Sequence, residues 1–321
     1  MSDRRPRLGW WLSSEEHDPR GLVSTAQLAE AAGFTTAMIS DHLHPWVAAQ
    51  GHAPHVWTTV GAIAHATDRL EIGTGVTAMI HRSHPVAVAQ AAATAAILLE
   101  GRFFLGVGTG ERLNEQAFGE RWPSTGERRQ WLTDGIDVLR QAFTGDPVSI
   151  DHGRWRVDGF QLFDLPASPP PIHVAASGPK TAKLAGEHGD GLIAVAANST
   201  LVDTYHGAGG TGPIIGQVHV SLAGTLDAAR EAAWRWWPNG AIAGAVLSEL
   251  ATPSQFEAAA EELRPEAVEA TVVCATGPDP IVHTVDRFVA AGFDTIYVHQ
   301  IGPDQSFLLG LARTDLLPHY G

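Results

Sequence analysis

Three stretches of this chain carry residues whose types and spacing could do chemistry. Ile39 to Trp46 reads Ile-Ser-Asp-His-Leu-His-Pro-Trp, so Asp41 and His42 follow directly on the apolar Ala37-Met38-Ile39. An imidazole exchanges protons near neutral pH, and an adjacent carboxylate can fix its tautomer or protonation. Standing alone, the stretch would equally be a capped strand end with solvated polar residues. Gly106 to Glu115 reads Gly-Val-Gly-Thr-Gly-Glu-Arg-Leu-Asn-Glu. Alternating glycines let backbone approach a flat ligand, and Glu111 then stands as a carboxylate beside it. The spacing is not a dinucleotide fingerprint, since no helix opens directly on it, and a surface turn would also account for it. The third stretch is Ala176 to Lys183. It holds Lys180 and Lys183, the only two lysines of the chain, in the first turns of an expected helix. Helix N-termini attract anions and disfavour cations, so a bound phosphate gives a reason for them. Two exposed lysines on a solvated helix remain the alternative, for Lys183 in particular.

The composition bounds what these stretches can serve. A formal net charge of −14 excludes a nucleic-acid backbone or an anionic membrane as the main partner. An anionic ligand must then be met by a local positive cluster. One cysteine, Cys274, excludes an internal disulfide and multi-cysteine metal sites, and fits a reducing cytoplasm. Arg4, Arg5 and Arg7 precede only a short Leu-Gly-Trp-Trp-Leu run, too short for a signal-peptide core. With 16 histidines, metal binding has to be weighed. His42-Leu-His44 resembles a paired-histidine zinc ligand set, yet Ala-Ala-Ser and Val-Ala-Ala follow the fifth and sixth strands, where further ligands would be needed. His52, His55, His81, His84 and His319 read as solvated or helix-capping residues.

The elements that must position these stretches alternate. Strands are expected at 8–13, 36–40, 71–76, 102–107, 172–176, 191–195, 218–222 and 295–299, with helices between them. The first helix, 19–32, has Asp18 as N-cap and stops at Gly33. A strand and a helix repeating about every thirty residues is the pattern of a parallel sheet. Eight such strands in 321 residues point to a closed (β/α)8 barrel, one domain over 1–321, with excursions at about 148–166 and 234–270. An open doubly wound sheet is the fallback. In a barrel the residues just past each strand share one rim, where binding sites form.

Taken together, Ser40 to Trp46, Gly51 to Pro54, Gly106 to Glu115 and Ala175 to Lys180, with the closing Val298 to Gln305, resemble the luciferase-like barrel oxidoreductases. The resemblance covers nearly the full chain and is strongest to the branch related to glucose-6-phosphate dehydrogenase that uses the deazaflavin coenzyme F420. It implies that the deazaflavin lies in the barrel mouth. Asp41, the Gly75-Val76 backbone with a non-proline cis peptide, Thr109, Asn114, Ser177, Gly178 and Lys180 would hold it. His42 would be the general base and Glu111 would protonate the coenzyme ring, with Trp46 beside the reacting centre. A homodimer is also implied. A luciferase-like monooxygenase using reduced FMN, and a binding protein without turnover, are the competing readings.

The chain also departs from that branch. The sugar-phosphate enzymes hold their substrate phosphate with two lysines and an arginine. Here Asn198 stands where the first lysine is expected, no Lys or Arg occurs from Trp236 to Leu263, and Ala270 lies near the arginine's place. Glucose 6-phosphate is therefore not the expected substrate. Ala78, Met79, Trp236 and Trp237 suggest a more apolar pocket for an uncharged alcohol or carbonyl compound.

Overall fold

A computed structural model describes residues 5–151 and 153–321; Arg4 of the basic start and His152 of the expected hairpin lie outside the described residues. Twelve strands follow in order: β1 (Arg7–Leu12), β2 (Thr36–Ile39), β3 (Glu71–Thr74), β4 (Thr77–Ala78), β5 (Phe103–Gly108), β6 (Val148–Asp151), β7 (Arg156–Phe160), β8 (Ile172–Ala175), β9 (Gly191–Ala194), β10 (Ile214–Leu222), β11 (Val272–Ala275) and β12 (Thr295–Gln300). Eight of them close a parallel barrel in the order β1, β2, β3, β5, β8, β9, β10, β12, with β12 pairing back to β1.

Two layers of side chains divide along each strand. Outward residues such as Trp10, Leu12, Ala37 and Ile39 pack under the helices in the main core. Inward ones, Trp11, Met38, Phe104, Ile193, Ile215 and Tyr297, plug the barrel. The plug needs small partners: a Cβ at Gly9 would run into the Tyr297 ring, and one at Gly73 into the Phe104 ring. Large and small residues thus fill the interior by layers, and the site must lie above this plug.

The helix ends behave as the residue types dictate. Asp18 accepts from the Gly21 amide at 2.7 Å, and Gly33 ends the helix Pro19–Ala32 at φ 110°. Ser124 and Glu127 form a reciprocal capping box ahead of Thr125–Ala142.

The excursions are real. β6 and β7 form an antiparallel hairpin. Between β10 and β11 the chain makes helix Leu226–Trp236 and then short helical pieces, of which Pro253–Glu261 meets the loop after β2 through Phe256 and Glu257. Two differences from the sequence reading arise here. β10 begins at Ile214, four residues before Val218, because Gly216 offers no side chain to read while its backbone still pairs. β11 is an additional strand: β9 uses the edge of β10 only as far as Gly216, and β11 joins β10 from His219 to Leu222.

Candidate active site

The loop after β2 brings His42 to the rim. Its Nδ1 lies 3.2 Å from the His44 carbonyl, which can only accept, so Nδ1 carries the proton. Nε2 faces Glu15 Oε1 at 3.5 Å, and the Trp46 ring lies 4.7 Å away, tilted at 56°. All three side chains are buried, His42 to 8 % exposure. Glu15 in turn accepts from the hydroxyls of Ser40 at 2.6 Å and Ser13 at 3.0 Å. Burial pushes its carboxyl up, but the positive charge that His42 carries once it is protonated, together with these hydrogen bonds, outweighs that and holds it below the usual carboxylate value. A proton arriving at Nε2 would therefore meet a carboxylate kept ionised.

Asp41 does not orient His42, contrary to the reading of the adjacent pair. Both its oxygens are taken: Arg82 reaches Oδ1 at 2.9 Å and Thr77 donates to Oδ2 at 2.7 Å. The chain turns between residues 41 and 42, so neighbours in sequence face different elements. Asp41 ties down the loop that follows the cis Gly75–Val76 peptide. Glu115 ties the other end of that loop, accepting from the amides of His81 and Arg82 at 2.9 Å each. Burial raises the Glu115 carboxyl, against those two amides and the nearby Arg82.

Asn114 accepts from the Leu43 amide at 2.8 Å, while its Nδ2 is 3.5 Å from Glu111 Oε2. It joins the two motifs, fixing the His42 loop to the Gly106–Glu115 loop. Glu111 is half-buried at this rim, as is Thr109. Trp46 packs edge-on to Phe256 at 5.3 Å, and Gln50 links the Trp46 amide at 2.8 Å to the Trp236 carbonyl at 2.9 Å. The 234–270 excursion thereby fixes the wall beside His42.

Across the mouth, Ser177 is exposed and Gly178 caps helix Pro179–His188 without a side-chain hydrogen bond. Lys183 pairs with Glu187, one turn on. Lys180 is exposed and, among the described residues, makes no ion pair, so of the two lysines it is the one with its charge to offer a ligand. Between these edges Val76 and Ala175 lie partly open on the plug, an apolar floor for a flat ring.

Of the four apolar residues expected around the substrate, Trp237 is at the mouth, 5.0 Å from His219 and 4.6 Å from His299. Met79 is instead fully buried in the outer core, its terminal methyl over Gly135. Trp236 lies outside the mouth, against Gly302 and under Arg235. Ala78 is buried beside Gly110. Adjacent tryptophans part company because the helix Leu226–Trp236 ends between them. His81 is not solvated but held between Glu120 and Arg154, whereas His84 does cap its helix, accepting from the Val86 amide at 3.3 Å.

The residues that the sequence reading missed are Glu15, Glu16, His219 and His299. Glu16 Oε2 is 2.6 Å from His299 Nε2, and His299 Nδ1 is 2.9 Å from His219 Nδ1. The signal was present: Glu15 and Glu16 lie just past β1, and the rim rule applied there would have found them. Among the described residues no group of three or more His, Cys, Asp or Glu is placed to hold a metal ion.

Residues 5–295 match the luciferase-like monooxygenase family. The chain is 39 % identical to an F420-dependent hydroxymycolic acid dehydrogenase of Mycobacterium tuberculosis, over 97 % of this chain and 87 % of that one. It is 34 % identical to an F420-dependent glucose-6-phosphate dehydrogenase of Nocardia farcinica, over 97 % of each. Among solved structures, an F420-dependent secondary alcohol dehydrogenase in complex with an F420–acetone adduct superposes with a TM-score of 0.89 at 26 % identity, covering 96 % of this chain and 97 % of that one. The chain belongs to the luciferase-like family.

Proposed function

We propose that this protein is a coenzyme F420-dependent dehydrogenase that transfers a hydride between the carbon of an uncharged alcohol, or its carbonyl partner, and the deazaflavin. The observation that carries this is the buried Glu15–His42–Trp46 arrangement at the rim, opposite a free Lys180 and an uncapped helix N-terminus. The residues present fit the coenzyme: an apolar floor at Val76 and Ala175 suits a flat ring, and the Ser177–Lys180 turn suits a phosphate. Thr109, Ser177, Gly178, Lys180 and the Gly75–Val76 backbone would hold it, with Asp41 and Asn114 fixing the loops that do so. When bound, the deazaflavin supplies a carbon that accepts or returns a hydride.

The protein's own residues manage the protons. With Nδ1–H held by the His44 carbonyl, His42 Nε2 has the free lone pair and accepts the hydroxyl proton. The imidazolium so formed is stabilised by Glu15, which does not need to take the proton itself. Glu111, half-buried on the coenzyme side of the mouth, would supply the proton there. Trp46 and Phe256 keep water from the reacting centre, where hydride transfer needs a dry, aligned pair of reactants.

Asn198 supports an uncharged substrate, since its side chain accepts from the Thr200 amide at 3.0 Å as a helix cap. Among the described residues no helix is long and apolar enough to cross a membrane. A homodimer in the cytoplasm belongs to the same reading, and sedimentation of the purified chain tests the dimer. The function is tested by fluorescence titration with oxidised F420 and, in parallel, FMN, followed by loss of deazaflavin absorbance with secondary alcohols. Tight binding of F420 and turnover of an uncharged alcohol well above glucose 6-phosphate are expected. Preference for FMN would overturn the reading in favour of a monooxygenase; F420 binding without turnover would leave a binding protein.

A further inference from the structure

β1 lies between β12 and β2 in the barrel, and the consecutive Glu15 and Glu16 past its end serve the strands on either side. Glu15 meets His42 of the β2 end, and Glu16 meets His299 of β12. The second arm goes one residue further, to His219 on β10. Glu16 is fully occupied: Oε1 accepts from the Gly302 amide at 2.7 Å and Oε2 from His299 Nε2 at 2.6 Å. A carboxylate that only accepts places the His299 proton on the nitrogen facing it, here Nε2, just as the triad carboxylate of a serine protease holds its histidine's proton on the nitrogen that it faces. With a single proton on His299, its Nδ1 is a lone pair, and the 2.9 Å contact is then met by His219 Nδ1 donating. His219 Nε2 is left as a bare acceptor. Burial is the main cause that depresses the His219 imidazole to about 3, which keeps the ring neutral. His219 is half-buried on the inward face of β10, and among the described residues nothing is paired with its Nε2. Trp237 walls it at 5.0 Å, and Trp237 belongs to the same apolar cluster as Trp46 and Phe256 beside His42.

We propose that Glu16, His299 and His219 form a tautomer-fixed subsite that accepts a hydrogen bond from a second hydroxyl on the substrate, so that the preferred substrates are uncharged alcohols carrying a further hydroxyl on an otherwise apolar frame. This rests on the dehydrogenase reading of the same mouth. His219 touches substrate; His299 and Glu16 are positioning residues. The subsite also rejects anions, because a phosphate or carboxylate oxygen would face a lone pair, and a buried unmatched acceptor is costly.

The decisive variant is Glu16→Gln. The Gly302 amide still needs an acceptor, so the carboxamide oxygen stays at the Oε1 position and its NH2 faces His299 Nε2. His299 must then accept at Nε2 and donate from Nδ1, which leaves His219 with its proton on Nε2. The subsite changes from acceptor to donor without loss of a side chain. The test compares the F420-loaded enzyme on a long-chain secondary alcohol, analogues bearing a second hydroxyl along the chain, and hydroxyketones with a carbonyl at those positions. In the parent enzyme kcat/KM for the best diol should exceed that for its hydroxyketone by about tenfold or more, the discrimination expected of one buried hydrogen bond. Glu16→Gln should invert that ratio, and His219→Leu should bring it near one. Independently of turnover, 15N NMR of histidine-labelled protein, with His219 assigned by the His219→Leu spectrum, should show Nε2 unprotonated in the parent and protonated in Glu16→Gln. An unchanged preference in Glu16→Gln, or a protonated Nε2 in the parent, overturns the subsite. Absence of any alcohol oxidation with the expected NMR pattern would instead overturn the dehydrogenase reading and leave the tautomer chain standing.

Discussion

The two arms that leave the end of β1 use the same parts to different ends. Glu15 and His42 form a looser pair, 3.5 Å apart, with Nδ1 pinned to a backbone carbonyl and Nε2 left free to gain a proton. Glu16 and His299 are closer, at 2.6 Å, and every polar atom of that arm is spoken for until His219 Nε2. The first arrangement can change its protonation during a reaction; the second is built to keep one. A carboxylate beside a histidine thus does not define a role. What the other ring nitrogen meets defines it.

The contrast can be broken most sharply at His42. Replacing it by Ala should lower kcat by about 10²–10⁴-fold, the usual worth of a general base, while fluorescence titration still detects F420 binding. A loss under tenfold would remove His42 from the chemistry.

A third buried imidazole sharpens the point, because it has no acid partner. His173 on β8 stacks on Phe104 at 4.9 Å, and its Nδ1 is buried without a hydrogen bond. Burial depresses it to about 4, against a weaker upward pull from Asp190 and Glu71. Above pH 6.5 neither folded nor unfolded chain protonates it. Below 6.5 the unfolded chain takes a proton that the fold refuses until about 4, so stability falls across that window, by about 3 kcal/mol at its foot. His173→Phe should therefore show a smaller drop in melting temperature between pH 7 and pH 4.5 than the parent. Equal drops would show that other groups govern acid unfolding.

Glu15→Gln should lower kcat/KM by about tenfold to a hundredfold, since it removes a charged partner without emptying the site. The loss should be similar for every alcohol, unlike the redistribution expected of Glu16→Gln. If Glu15→Gln also changed substrate preference, the arms would not be separate. The smallest effect is expected at Lys180. Changing it to Ala should weaken F420 binding about tenfold at low salt and less at high salt, because an exposed charge is screened.

Much of the fold was legible because it is periodic. Eight strands, their helices and both excursions followed from hydrophobic runs, caps and breakers such as Asp18, Gly33 and the Ser124–Glu127 box. β11 was not, since Val-Val-Cys-Ala is a short apolar run whose strand state depends on a free edge of β10. His42, Glu111 and Trp46 were singled out because strand ends share a rim; Trp46 lies against His42, and Asn114 joins the His42 loop to Glu111.

By itself, then, the sequence determined where the strands end and which of their residues alternate inward, because those are local properties. Only the tertiary structure decided which side chains meet there. It turned Asp41 from its neighbour His42 to Arg82, separated Trp236 from Trp237, and sent adjacent Glu15 and Glu16 to histidines on opposite sides of β1. The physical reason is that a hydrogen bond is fixed within a few tenths of an ångström by groups distant in the chain, and no spacing along the sequence encodes that.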